Sequence, residues 1–310
     1  MSNKHKIKTV RLLSTNECNL SCFYCCAEGH KSLYNHLNSA NIKNIIGKLN
    51  LFFDIDRIKI TGGEPLCSTD IENIIDSIYK TKKANQLVSI VTNGTMTEKL
   101  KKLLKYKDLD VAISLPSTNQ EIFGLINRDG TIIDKVKQSI ELLIQNNFST
   151  KLNCVLVEGV TNTTENISAI INEYGSFHNV EIRFLELSIN DINRNFFDYD
   201  KYKTDLDVFD VNMKTIGFEK CSQTEKRESV LYAKNGVRVK LIKFFCYDGC
   251  DNCPDDKTSI WVSCDGYISN CSFTSINEIE MSKFSPEVIS NSIEKLLDQS
   301  FKNSGDTILN

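Results

Sequence analysis

Residues 8–26 read KTVRLLSTNECNLSCFYCC. Residues 8–14 are apolar and β-branched with interleaved charge, which predicts a strand. The second half sets Cys18, Cys22 and Cys25 at the spacing C-x3-C-x2-C, and Cys26 follows at once. Three thiolates can hold three irons of a cubane cluster and leave the fourth iron open to a small chelating ligand. Zinc competes, because C-x2-C suits it and His30 or Cys26 could supply a fourth ligand. The cysteines alone leave both metals open.

Downstream, β-branched runs alternate with helical patterns. Strands are predicted at 57–60, 87–91, 110–115, 151–157 and 180–187, and helices at 40–53, 71–80, 97–106, 132–146 and 164–175. Such alternation predicts an α/β fold built on a parallel sheet with crossover helices. The count of repeats favours a partial (β/α)6 TIM-like barrel over a doubly wound sheet. After residue 188 the rhythm breaks, and 216–275 reads as short strands and turns carrying cysteines. A helix is expected at 286–301, with Ser285 as cap and Pro286 in the first turn. The domains are therefore read as 1–188, the barrel, and 189–310, a small cysteine-rich C-terminal extension.

The chain of 310 residues has a formal net charge of -3, 41% hydrophobic and 25% charged residues. Its acids and bases are mixed, which gives no support for a nucleic-acid binder. No apolar run nears the roughly 20 residues of a membrane span, and the first residues lack a secretory core. The expected location is the cytoplasm, where thiols stay reduced. Twelve cysteines there point to metal rather than disulfides. Cys154 and Cys221 read as ordinary core thiols. The groups at 18–26 and 246–271 do not.

Beyond the cysteines, TGGEPL (61–66), TNGT (92–95) and ISLPS (113–117) each fall at the C-terminal end of a predicted strand, where a parallel barrel puts its active site. With CNLSCFYC, they resemble the radical S-adenosylmethionine (SAM) superfamily. The resemblance implies an enzyme of oxidoreductase or lyase type. Cys18, Cys22 and Cys25 would hold a [4Fe–4S] cluster whose open iron chelates the SAM methionine. Reductive cleavage would then give a 5′-deoxyadenosyl radical that takes hydrogen from a substrate. Gly62, Gly63 and Glu64 would receive the methionine, Tyr24 the adenine, and Thr92, Asn93, Ser114 and Asn153 the rest of the cofactor. A buried, satisfied amide is an equal reading of Asn153. An electron donor, a reductase or a ferredoxin or flavodoxin, would be a partner.

Further stretches resemble the GTP 3′,8-cyclase branch of that superfamily: SLPSTNQEIFGLINRDG, TKLNCVLVEGVTNTTEN, EIRFLEL and DGYISNCSF. That branch carries a second cluster. Here Cys246, Cys250, Cys253 and Cys271 are the expected ligands, with Cys264 nearby and a zinc knuckle as the alternative. The departures concern the substrate. Glu17 stands where the branch has a basic residue, CSTD (67–70) where it has more, and Ser259 and Trp261 where it has two arginines. Lys151 and Arg183 persist as candidate substrate contacts, or as a structural ion pair. Losing cations that would pair a triphosphate argues against GTP. The sequence thus predicts a peptide or another small-molecule substrate, with GTP neither bound at micromolar concentration nor stimulating SAM cleavage. The cyclase itself is the alternative. A non-catalytic iron–sulfur carrier or sensor is disfavoured, since a carrier has no use for a SAM pocket.

Overall fold

The computed structural model describes residues 5–25, 36–188, 197–223, 229–244, 258–269, 279–280 and 292–293. In chain order the elements are β1 (His5–Leu13), α1 (Ser39–Phe52), β2 (Phe53–Thr61), α2 (Ile71–Thr81), β3 (Leu87–Thr92), α3 (Thr97–Leu103), β4 (Leu109–Ser114), α4 (Gln120–Asn127), α5 (Ile133–Gln145), β5 (Thr150–Leu156), α6 (Thr164–Tyr174) and β6 (Val180–Glu186). They continue with α7 (Tyr199–Tyr202), α8 (Leu206–Thr215), β7 (Glu219–Gln223), β8 (Ser229–Lys234), β9 (Val237–Ile242), β10 (Ser259–Val262), β11 (Tyr267–Ser269) and β12 (Ile279–Glu280). Single 3-10 turns lie at Pro65–Cys67 and Gly130–Ile132.

The chain forms two compact units. The first comprises Met1–Glu17, Lys31–Val88 and Phe245–Asn310. In it β1 pairs in parallel with β2 on one side and with β10 on the other. β10 then runs antiparallel to β11, and β11 to β12. One face of β1 and β2 buries Val10, Leu12, Ile58 and Ile60 completely. α1 and α2 supply Ile42, Ile46, Ile74, Ile75 and Ile78, also sealed from solvent. The spacing of the α2 isoleucines by three and four residues is what makes it an amphipathic crossover helix. β2 begins four residues earlier than expected. Its first half, Phe53-Asp54-Ile55-Asp56, alternates buried and half-buried residues, so the pleat takes it although Phe53 also fits the end of the helix.

The second unit comprises Cys18–His30 and Ser89–Phe244. Here β4, β5, β6 and β9 are successive parallel strands. An antiparallel meander, β9-β8-β7, finishes the edge. The β8–β9 hairpin turns on Asn235-Gly236, both at positive φ, a pairing that favours a tight two-residue hairpin turn. Leu152, Cys154, Ile182, Phe184, Val239 and Leu241 fill the buried face of the sheet. The mixed α/β class and the parallel strand–helix repeats are as the sequence predicts. α4 was not expected. It is only eight residues long and carries a glycine, but Asn119 caps it by accepting from the N–H groups of Glu121 and Ile122. The helix expected at 286–301 lies almost wholly outside the described residues.

Candidate active site

In the first unit, β1 ends in the segment Ser14–Glu17, against which the GGEP turn is built. The Gly63 N–H donates to the Thr15 carbonyl at 2.8 Å, and the Glu64 N–H to the Glu17 carbonyl at 2.7 Å. Gly62 sits at φ 141°. A Cβ there would collide with the Thr15 carbonyl oxygen, and a Cβ on Gly63 with that of Glu17. Both glycines are therefore required by backbone contact. The Glu64 side chain is buried, and its Oε1 accepts from the Leu66 N–H at 3.0 Å. The Glu17 carboxylate stands 3.7 Å from His36 Nε2, both about 40% exposed.

The other face of β1 and β2 is charged. Register places Arg57 beside Thr9 and Lys59 beside Arg11, and Arg11 also lies beside Trp261 of β10. These residues alternate with the buried set and so share the opposite, half-buried face. The Arg11 guanidinium lies 4.7 Å from the centre of the Trp261 ring, a cation–π contact. Sequence reasoning passed over Arg11, Arg57 and Lys59. Their signal was the alternation of VRL and RIKI, in which charge falls on every second residue.

In the second unit, the cysteine turn is held at three points. The Phe23 N–H donates to the Ile126 carbonyl at 3.1 Å. The Cys22 thiol donates to Asn127 Oδ1 at 2.6 Å. Asn19 Nδ2 donates to Thr95 Oγ1, and Asn19 Oδ1 accepts from Asn93 Nδ2, each at 2.8 Å. Asn93 Nδ2 also comes to 4.0 Å of Cys18 Sγ, and the Leu20 N–H to 3.4 Å. Phe23 packs against the rings of Tyr24, Phe197 and Tyr202. Burial, then the charges of Cys25 and Cys18, push the Cys22 thiol up to about 12.

The donor chemistry fits an iron–sulfur cluster. Three part-exposed thiols share one turn, feel one another's charge, and have N–H donors directed at Cys18. Among the described residues, however, no three of His, Cys, Asp or Glu stand grouped as a bound metal ion requires. Cys22 is turned to Asn127. Cys26, His30, Cys246, Cys250, Cys253 and Cys271 lie outside the described residues. Cys264 sits in the half-buried turn between β10 and β11.

Across the parallel strands of this unit, Ser114, Asn153, Arg183 and Lys240 form one row on the face opposite the apolar core. Lys151 and Glu181 stand one step back along it. Both candidate substrate cations are met by carboxylates, Lys151 by Asp110 and Arg183 by Glu181. Glu181 also takes Lys240 Nζ at 2.5 Å. Burial alone would raise the Glu181 carboxyl. Lys240 and Arg183 outweigh it and hold the group below its ordinary value.

The family model described as the Radical SAM superfamily matches residues 12–169, half of the chain. A protein named "Probable GTP 3′,8-cyclase" from Methanococcus aeolicus is 29% identical over 284 residues, 90% of each chain. The "GTP 3′,8-cyclase" of Helicobacter pylori is 27% identical over 86% of this chain and 80% of its own. Among solved structures, Streptococcus suis SuiB bound to S-adenosylmethionine superposes with TM-score 0.70 at 14% identity, covering 97% of this chain and 70% of that one. Native anSMEcpe with bound AdoMet gives TM-score 0.59 at 18% identity, covering 95% and 84%. At these identities the likeness shows a shared fold. Among the described residues no helix is long and apolar enough to cross a membrane.

Proposed function

Because the chain belongs to the Radical SAM superfamily, whose enzymes work with a [4Fe–4S] cluster, S-adenosylmethionine, a substrate and an electron donor, we propose that it catalyses a GTP 3′,8-cyclase-type reaction on a nucleotide. When bound, the cluster and S-adenosylmethionine supply a 5′-deoxyadenosyl radical that takes hydrogen from the substrate. In this reading Cys18, Cys22 and Cys25 are the ligands. The GGEP turn offers backbone to the methionine end of the cofactor, and Ser114 and Asn153, neighbours on adjacent strands, are further cofactor contacts in this reading. Tyr24 meets the adenine. Asn93, whose amide is engaged with Asn19 and Thr95, holds the cysteine turn beside Thr92.

The observation that carries the substrate class is the charged face of β1 and β2. Arg11, Arg57 and Lys59 are three cations absent from the sequence argument against GTP, which counted only Glu17, CSTD, Ser259 and Trp261. Each charge-assisted contact to phosphate contributes about 1.5–3 kcal/mol, less the cost of giving up the partners that Arg11, Arg57 and Lys59 already have in the protein. The cyclase names among relatives that span nine-tenths of the chain support the same choice. An auxiliary cluster on residues 189–310, a ferredoxin- or flavodoxin-type donor and a cytoplasmic location complete the proposal.

A peptide or another less anionic small molecule is the second reading. It is favoured by Asp110 and Glu181, which neutralise Lys151 and Arg183. The test is anaerobic. Reconstituted, reduced protein is given S-adenosylmethionine with GTP, with other nucleotides, or alone, and 5′-deoxyadenosine is measured beside equilibrium dialysis of GTP. Micromolar GTP binding with a cyclised purine product is expected. 5′-Deoxyadenosine formed without any response to GTP transfers the protein to the second reading.

A further inference from the structure

Asn127 is the last residue of α4 and is 5% exposed. Its two amide atoms are both committed. Nδ2 donates to the Phe123 carbonyl at 3.2 Å, and Oδ1 receives the Cys22 thiol. A carbonyl can only accept, so the Phe123 bond fixes which end of the amide meets the sulfur. One residue earlier, the Ile126 carbonyl takes the Phe23 N–H. The C-terminal end of α4 therefore grips Cys22 and its neighbour at two successive positions, one through the side chain and one through the backbone.

We propose that Asn127 is a positioning residue for Cys22, and that in the cluster-loaded protein its amide is the hydrogen-bond partner of the Cys22 sulfur. The inference rests on the reading that Cys18, Cys22 and Cys25 hold the cluster. A thiolate bound to iron has no proton to give, so the partner it needs is a donor. Asn127 becomes one by a half-turn of its amide, which brings Nδ2 to the sulfur at the cost of its bond to the Phe123 carbonyl and turns Oδ1 towards that oxygen, so the bond to the thiolate has to outweigh both. By helical geometry the Phe123 carbonyl still has the backbone N–H of Asn127, four residues on. Hydrogen bonds to ligand sulfurs raise the reduction potential of a cluster. Asn127 would thus help an electron donor reduce the site, without touching S-adenosylmethionine or substrate.

Two variants remove the donor in different ways. Asn127→Leu is near-isosteric and apolar, and Asn127→Asp is isosteric and ordinarily only accepts. The readouts are iron content, the midpoint potential, and the electron paramagnetic resonance signal that changes when S-adenosylmethionine is added. That change identifies the cluster with the open iron. Both variants are expected to show a more negative midpoint and an altered signal, with at least a twofold loss of loading in Asn127→Leu. Loss of all loading in both, with the helical circular dichroism intact, also supports the assignment. A potential and signal equal to the parent's in either loaded variant overturn it. Cys22→Ala separates the premise: if that variant keeps the SAM-sensitive signal, the ligand reading itself falls.

Discussion

A methyl group on Gly63 has nowhere to go but into the Glu17 carbonyl, one residue before the first cysteine of the turn. Gly63→Ala is accordingly expected to lower S-adenosylmethionine binding at least tenfold by equilibrium dialysis, while Gly47→Ala in α1, where a Cβ meets only Thr81 Cγ2 at 3.9 Å, leaves it unchanged. The glycine was legible because GGEP is a turn with a reason. The charged face was not, because a lone arginine in a strand reads as solvated surface until register shows its neighbours. Arg57→Ala with Lys59→Ala should weaken binding of an anionic substrate by about tenfold, since each cation gives up a partner within the protein to make a contact of about 1.5 kcal/mol. The loss should shrink as salt is added. Glu181 sets a pH limit. Its carboxyl is held below its ordinary 4.5, so the stability it contributes is present above that value and is lost as pH falls through the lowered one. Glu181→Gln should flatten the fall in melting temperature below pH 4.5, measured against the parent in the same buffers.

The crossover helices were readable because burial recurs every three or four residues. α2 carries this in Ile71, Ile74, Ile75 and Ile78, and Ile74→Ala should cost about 2–4 kcal/mol in a urea titration. α4 escaped notice for the opposite reason. Its interior holds Gly124, and Leu125 is 67% exposed, so the apolar stripe is only Phe123 and Ile126. Asn119 was the available signal, a cap two residues after Ser117. Asn119→Ala should destabilise α4 by about 1 kcal/mol. Since Asn127 closes the same helix, the variant should also slow iron incorporation, followed by absorbance during anaerobic reconstitution. The strand edges erred where an apolar residue satisfies both periods, as Phe53 does between α1 and β2.

At the scale of the molecule, the chain carries more cysteine than one cubane needs. The triple change of Cys18, Cys22 and Cys25 to alanine should still retain about four irons per chain if Cys246, Cys250, Cys253 and Cys271 hold a cubane. Zinc or no metal in that variant removes the auxiliary cluster. The parallel repeats were legible over residues 8–187 because each strand is followed by its own helix. The return of β10 to β1 was not, because nothing in SIWV marks a partner some 250 residues earlier. That pairing also has a history in time. As the ribosome extends the chain, β1 finds β2 within about fifty residues, but its second edge stays bare until Ser259–Val262 emerges. By then all of Ser89–Phe244 has been made and can have folded. A nascent chain stalled in that interval exposes an unpaired strand edge beside reduced, unloaded thiols, a combination prone to aggregation. Synthesis, rather than catalysis, is the stage at which this protein would most need a chaperone.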